Sequence, residues 1–210
     1  MIYFANPTGK ALQKMKEGVL GYIDTPKQGN ARPAGITWCA DNGCFGKGFD
    51  EQKWFTWLEK HSDQSDNCVF ATAPDVVEDA SATLVRSAPW LQPIRSLGYP
   101  VAFVAQDGIE ETFVPWPDFD CLFIGGSTEF KLGQIASHYV QDAKSRGMWV
   151  HMGRVNSLKR LRYAEYIGCD SVDGTMLCFN PTARLAELLS WLEELDDSPV
   201  LFGMDTPVVS

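Results

Sequence analysis

The chain has no long apolar run, no surplus of positive charge and no clustered cysteines. Across 210 residues, no stretch is hydrophobic for the length that a bilayer-spanning helix needs, and no basic-then-apolar leader follows Met1. These two gaps set the expectation of a cytoplasmic protein without a membrane partner. Lys and Arg number 18 against 27 Asp and Glu, for a formal charge of −9. General electrostatic attraction to nucleic acid needs a basic surface, so any such role is left to a local patch. The six cysteines, Cys39, Cys44, Cys68, Cys121, Cys169 and Cys178, show no C-x-x-C spacing, and the three histidines do not cluster with them. Buried free thiols are therefore expected, and neither a metal site nor a cofactor. Linkers, low-complexity tracts and repeats are missing too, as is a G-x-G-x-x-G after the first strand-like run.

What is present is an ordinary globular composition, 45% hydrophobic and 21% charged. The length suits one domain, residues 1–210, with a single sizeable core. Short β-rich runs fall at residues 1–6, 19–24, 36–41, 68–73, 101–105, 121–124, 148–152 and 171–173. Helical spacing occupies 10–17, with Leu12, Met15 and Val19 on one face, and 50–61, with Trp54, Phe55, Trp57 and Leu58. It returns at 77–97, where Pro89 and Pro93 are expected to break the helix, and at 131–146 as one continuous stripe. Asn156 or Ser157 can cap a further helix, and Asn180-Pro181 opens a last one over 182–195. Nearly every strand is followed by a helix, the pattern of a compact (β/α)8 TIM barrel of the α/β class. The competing architecture is an open doubly wound sheet. Polar groups at most strand ends and the missing glycine fingerprint favour the barrel, whose sites lie at the C-terminal mouth of the strands.

The run Cys169-Asp170-Ser171-Val172-Asp173-Gly174-Thr175 reads as a short buried strand ending on a carboxylate. An acid in that position costs desolvation energy unless it has partners or a chemical task, so Asp173 is either held by the turn amides after it or is a nucleophile. Asp41 and Phe45 follow the third strand, Asp75 the fourth and Gln106 the fifth. Gly125 and Gly126 follow the sixth strand, and Met152 closes the seventh. Carboxylates accept N–H bonds, an amide both donates and accepts, and glycine backbone can approach an exocyclic oxygen closely. Phe45 and Met152 suit the two faces of a ring. Together these residues describe a pocket for a flat, hydrogen-bonding heterocycle.

Five ordered segments carry a family resemblance. Asp41-Asn42-Gly43-Cys44-Phe45 is similar to the Asp-Ser-Gly-Gly-Phe/Tyr loop of the tRNA-guanine transglycosylase superfamily. Val104-Ala105-Gln106-Asp107-Gly108 resembles its Val-Gln-Gly-Gly segment, and Gly125-Gly126-Ser127 its Gly-Gly or Gly-Leu turn. His151-Met152-Gly153-Arg154-Val155 resembles Leu-Met-Gly-Val-Gly, and Gly168-Cys169-Asp170-Ser171-Val172-Asp173 resembles Gly-Ile-Asp-Met-Phe-Asp. No cysteine–histidine cluster like that of the tRNA enzymes' zinc subdomain stands in the sequence, so a barrel without that subdomain is expected, and the residues after Asp173 read Gly-Thr-Met-Leu-Cys-Phe-Asn-Pro-Thr-Ala-Arg, not Cys-Val-x-Pro-Thr-Arg. In this the chain is closer to the compact phage and bacterial DpdA-type 7-deazaguanine DNA transglycosylases.

The resemblance implies a barrel in which Asp173 is the nucleophile and Asp41 the general acid/base. Asp75, with Asp79 as its rival, and Gln106 would read the polar edge of guanine or a 7-deazaguanine. Gly125 and Gly126 would meet its carbonyl oxygen, and Phe45 and Met152 would stack on it. The implied partners are a 7-deazaguanine base and a nucleic acid, DNA favoured over tRNA. The basic run Arg154, Lys159, Arg160 and Arg162 would meet phosphates or form a solvated helix face. Three other functions stay open: a queuine-type tRNA enzyme, a non-catalytic barrel that binds a partner, and a hydrolytic DNA glycosylase.

Overall fold

Eight short runs of β-branched, aromatic and small apolar residues form the strands. The computed structural model describes residues 1–29, 31–46, 48–178 and 180–197. Lys47, in the glycine-rich stretch 42–48 that follows the third strand, and Phe179 of the segment after Asp173 lie outside the described residues. The order is β1 (Ile2–Ala5), α1 (Gly9–Lys16), β2 (Gly21–Asp24), β3 (Trp38–Ala40), α2 (Glu51–Lys60), β4 (Cys68–Thr72), α3 (Ala80–Ser96) and β5 (Val101–Ala105). It continues with β6 (Cys121–Ile124), α4 (Thr128–Lys131), α5 (Gln134–Ser145), β7 (Trp149–Met152), α6 (Leu158–Ile167), β8 (Ser171–Asp173) and α7 (Pro181–Asp197). Each strand pairs in parallel with the next, and β8 closes on β1 through Ile2–Ser171, Tyr3–Val172 and Phe4–Asp173. The result is a closed eight-stranded (β/α)8 barrel.

Alternation along each strand divides its side chains between two cores. Phe4, Ile23, Cys39, Phe70, Ala102 and Cys121 fill the barrel interior, with Phe123 and Trp149 against them. The intervening residues, among them Tyr3, Trp38, Phe103, Leu122, Val150, Met152 and Val172, face outward and meet the helices. Burial of each such large apolar side chain is worth about 1.5–3 kcal/mol. The filled interior stops short of the strands' C-terminal ends, which leaves room for a cavity there.

Several helices differ from the sequence expectation. Helix α3 runs unbroken through Pro89 and Pro93. The carbonyls those prolines leave without a helical N–H belong to Val85 and Pro89, both on the exposed face and open to solvent. The same helix starts at Ala80 rather than 77, because the Asp79 side chain accepts from the Ala82 N–H at 2.8 Å and caps it. The stripe expected over 131–146 is two helices, α4 and α5, separated at Gly133, and Ile135 is exposed. Val19 lies beyond the end of α1 and is also exposed. Ser157, not Asn156, caps α6, accepting from the Arg160 N–H at 3.3 Å. Four of the cysteines are buried, whereas Cys44 is half-buried and Cys178 exposed. Among the described residues no helix is long and apolar enough to cross a membrane.

Candidate functional site

A cavity of about 340 Å³ opens at the C-terminal ends of the strands. Asp41, Phe45, Asp75, Gln106, Gly125, Gly126, Arg154 and Asp173 all line it. Alternation explains this convergence. Asp41 continues the inward phase of Cys39, Gln106 that of Ala102 and Val104, and Gly125 that of Cys121 and Phe123. Asp173 keeps the phase of Ser171, and Thr72 that of Phe70.

One side of the cavity holds a polar cluster. Asp75 is buried and accepts from Asn42 Nδ2 at 2.9 Å and from Gln106 Nε2 at 2.7 Å. Gln106 Oε1 accepts from the Glu78 N–H at 2.9 Å. Asn42 also donates to the Ala73 carbonyl at 2.7 Å. Burial raises the Asp75 carboxyl above its ordinary value, and the bonds from Asn42, Cys44 and Gln106 oppose that shift. Thr72 Oγ1 is buried beside this cluster and has no partner among the described residues. Asp79 stands apart as the cap of α3, so between the two rivals only Asp75 reaches the cavity.

The other side holds two carboxylates. Asp41 accepts from the Gly43 N–H at 3.2 Å. Burial, then the charge of Asp173 and more weakly that of Asp75, push its carboxyl up to about 7, against the lowering effect of the Gly43 bond. Asp173 Oδ1 accepts from the Arg154 N–H at 3.2 Å, and its Oδ2 lies 3.0 Å from His151 Nε2. His151 is fully buried beneath it, with Nδ1 2.9 Å from Ser171 Oγ. Lys131 lies behind this wall and donates to the Gly153 carbonyl at 3.1 Å. Burial and the nearby Arg154 charge lower its ammonium to about 8, while Asp173 acts the other way.

The rim is formed by Arg154, whose guanidinium lies 4.7 Å from the centre of the Phe45 ring and donates to the Gly126 carbonyl. Its backbone is left-handed, with φ 60°. A side chain at Gly125 would meet Val104 Cγ1 at 2.6 Å, and one at Gly126 would meet Asp107 Oδ2 at 2.5 Å, so both positions need the bare backbone. The Gly125 N–H is already spent on the Ala105 carbonyl at 2.9 Å. Of the glycine pair, the Gly126 N–H is therefore, among the described residues, the donor left for a ligand.

Three expected residues fall elsewhere. Met152 is fully buried in the outer core between barrel and helices and does not line the cavity. It is out of phase with the inward residues of β7, Trp149 and His151. Lys159 and Arg160 line a separate groove with Ser157 and Tyr163 along the start of α6, leaving Arg154 as the basic residue at the cavity itself. The strand-end residues do not include His151, Asn42 or Thr72. Alternation places His151 two residues after the inward Trp149 on β7 and Thr72 two after the inward Phe70 on β4, whereas Asn42 turns inward only through the loop after Asp41.

Among the described residues no cluster of three or more His, Cys, Asp or Glu side chains is arranged to hold a metal ion. No protein-family model matches the chain, and no curated protein matches it in sequence.

Proposed function

We propose that the chain is a base-exchange transglycosylase that replaces guanine in DNA with a 7-deazaguanine through a covalent aspartyl–glycosyl intermediate. One observation carries the reading: Asp41 and Asp173 share a single cavity in which Asp41 is held up to about 7, while Asp173 accepts from the Arg154 N–H and lies 3.0 Å from His151 Nε2. Two carboxyl groups placed in unlike surroundings are the arrangement that divides a general acid from a nucleophile.

In the proposed reaction an Asp173 oxygen attacks C1′ of the target nucleotide. The bond from C1′ to the base nitrogen breaks, its electron pair stays with the departing guanine, and the Asp41 proton goes to that base. The incoming 7-deazaguanine gives its N–H proton to Asp41 and attacks C1′ through that nitrogen, which releases the Asp173 carboxylate. Proton and charge balance over the two displacements. Asp75, Gln106 and the Thr72 hydroxyl, which has no partner among the described residues, face the polar edge of the base, the Gly126 N–H its carbonyl oxygen, and Phe45 one ring face. The target nucleotide has to leave the helical stack to enter the cavity. Arg154 at the rim is the group in reach of its phosphate, and such a substrate sets the protein in the cytoplasm.

The test is incubation with guanine-containing DNA or with tRNA, each with labelled guanine. Label in DNA supports the reading, whereas label in tRNA alone transfers it to a tRNA-guanine transglycosylase. Abasic product without added base would make the chain a hydrolytic glycosylase. No product on either polymer would leave the non-catalytic barrel.

A further inference from the structure

We propose that His151 is a positioning residue for Asp173, held in its Nε2–H tautomer by a hydrogen-bond chain that starts at Trp149 and passes through the buried Ser171. The inference rests on the reading of Asp173 as the nucleophile and adds to it the group that sets its orientation.

The argument is a count of hydrogens. An indole N–H can only donate, so Trp149 Nε1, 2.8 Å from Ser171 Oγ, spends its hydrogen there. The serine hydroxyl keeps one hydrogen of its own, and the atom 2.9 Å away is His151 Nδ1. With that hydrogen pointing at Nδ1, the imidazole carries its proton on Nε2, which lies 3.0 Å from Asp173 Oδ2. Every donor then has an acceptor. A proton on Nδ1 would leave the serine hydrogen without an acceptor among the described residues. With Nδ1 as the sole protonated nitrogen, two acceptors would also face each other across 3.0 Å.

The imidazole cannot turn away from this arrangement. Its ring is enclosed by Phe123, Phe70 and Phe4 at centroid distances of 4.5, 4.8 and 6.0 Å. All three belong to the barrel interior, where a rotated ring would lose both polar partners to apolar surroundings. With Oδ1 on the Arg154 N–H, the carboxylate is gripped at both oxygens by neighbouring residues of one chain segment. A nucleophile fixed in this way keeps its near-attack geometry without cost at the moment of reaction.

The test combines kinetics and spectroscopy on the full chain. His151→Phe keeps an aromatic ring in the cluster and removes the donor. It is expected to lower kcat of base exchange about 100-fold with KM for the base unchanged. His151→Gln, whose Nε2 can reach the same oxygen, is expected to recover most of that loss. Ser171→Ala keeps the imidazole but frees its tautomer, and is expected to lower kcat about tenfold, an intermediate loss on the same positioning scale. It also decides the matter should the phenylalanine variant fail to fold. Long-range 1H–15N correlation on the wild type is expected to show His151 protonated at Nε2 and bare at Nδ1.

Wild-type kcat in His151→Phe or Ser171→Ala, or an Nδ1–H tautomer, overturns the proposal. Absence of exchange in the wild type overturns the nucleophile assignment, and the role with it. The NMR tautomer separates that failure from a failure of the hydrogen-bonded pair.

Discussion

Gln106 Nε2 donates to Asp75 Oδ2 at 2.7 Å, while Gln106 Oε1 accepts from the Glu78 N–H at 2.9 Å. The backbone donor settles which end of the amide faces which way, since an N–H cannot bond to an NH2 group. The second Nε2 hydrogen is then the one available to a ligand. Gln106→Glu would put a second carboxyl against Asp75. Its folded value would be raised above the unfolded one, so its effect on stability is absent below about pH 4 and grows as pH rises through the ordinary carboxylate range. Urea unfolding at pH 4 and pH 8 should show the variant close to wild type at the lower pH and weaker by about 1–3 kcal/mol at the higher. Equal destabilisation at both values would mean that the contact is not felt.

Asp41 carries the same sign in the wild type. Its carboxyl is pushed up to about 7, so between the ordinary carboxylate value and pH 7 the folded chain holds a proton that the unfolded chain has lost. The stability this gives is complete at low pH and disappears as pH rises through that window. Asp41→Asn removes the slope and is expected to be more stable than wild type at pH 8 by a few kcal/mol, each displaced unit being worth about 1.4 kcal/mol. Base exchange in the same variant should fall about 100-fold to 10,000-fold, the usual worth of a general acid. Denaturant midpoints from pH 4 to 8 and a labelled-guanine assay check the two halves separately.

Met152 and Phe45 divide what could be read in the sequence from what could not. The eight strands were legible because each is a short apolar run bounded by turn residues, and Asp41, Asp75, Gln106 and Asp173 because they stand where such runs end. Facing was harder: Met152 sits at a strand end like the others but is out of phase with Trp149 and His151. The left-handed backbone of Arg154 left no signal, because glycine and asparagine are the residues that announce that conformation. Met152→Leu should therefore cost less than about 1.5 kcal/mol, and Met152→Ala about 2–5 kcal/mol, both with KM for the base unchanged. Phe45 is 69% exposed, so Phe45→Ala should shift stability by less than about 0.5 kcal/mol and yet raise KM. Thermal unfolding beside KM for the base distinguishes the two residues. A raised KM in the methionine variants would put that side chain back at the ligand.

Gly174, next to Asp173, looks in sequence like the glycine of an Asp-Gly turn, chosen for a left-handed backbone. Its φ is not positive, and the constraint is space. A Cβ there would meet the Tyr3 hydroxyl most closely, then Asn156 Oδ1 at 2.5 Å and the Val155 carbonyl at 2.6 Å. The Tyr3 hydroxyl is itself committed, donating to the Val155 carbonyl at 2.9 Å across the path of the chain. Gly174→Ala thus forces apart the contacts that anchor the segment after Asp173, and is expected to cost about 1–3 kcal/mol or more. Adding Tyr3→Phe removes the nearest obstacle but leaves the other two. The double variant should recover part of the loss, although Tyr3→Phe alone destabilises by about 0.5–1.5 kcal/mol through its lost hydrogen bond. A double-mutant cycle by urea unfolding measures this coupling. Strict additivity of the two changes would show that the tyrosine hydroxyl is not what excludes a side chain at position 174.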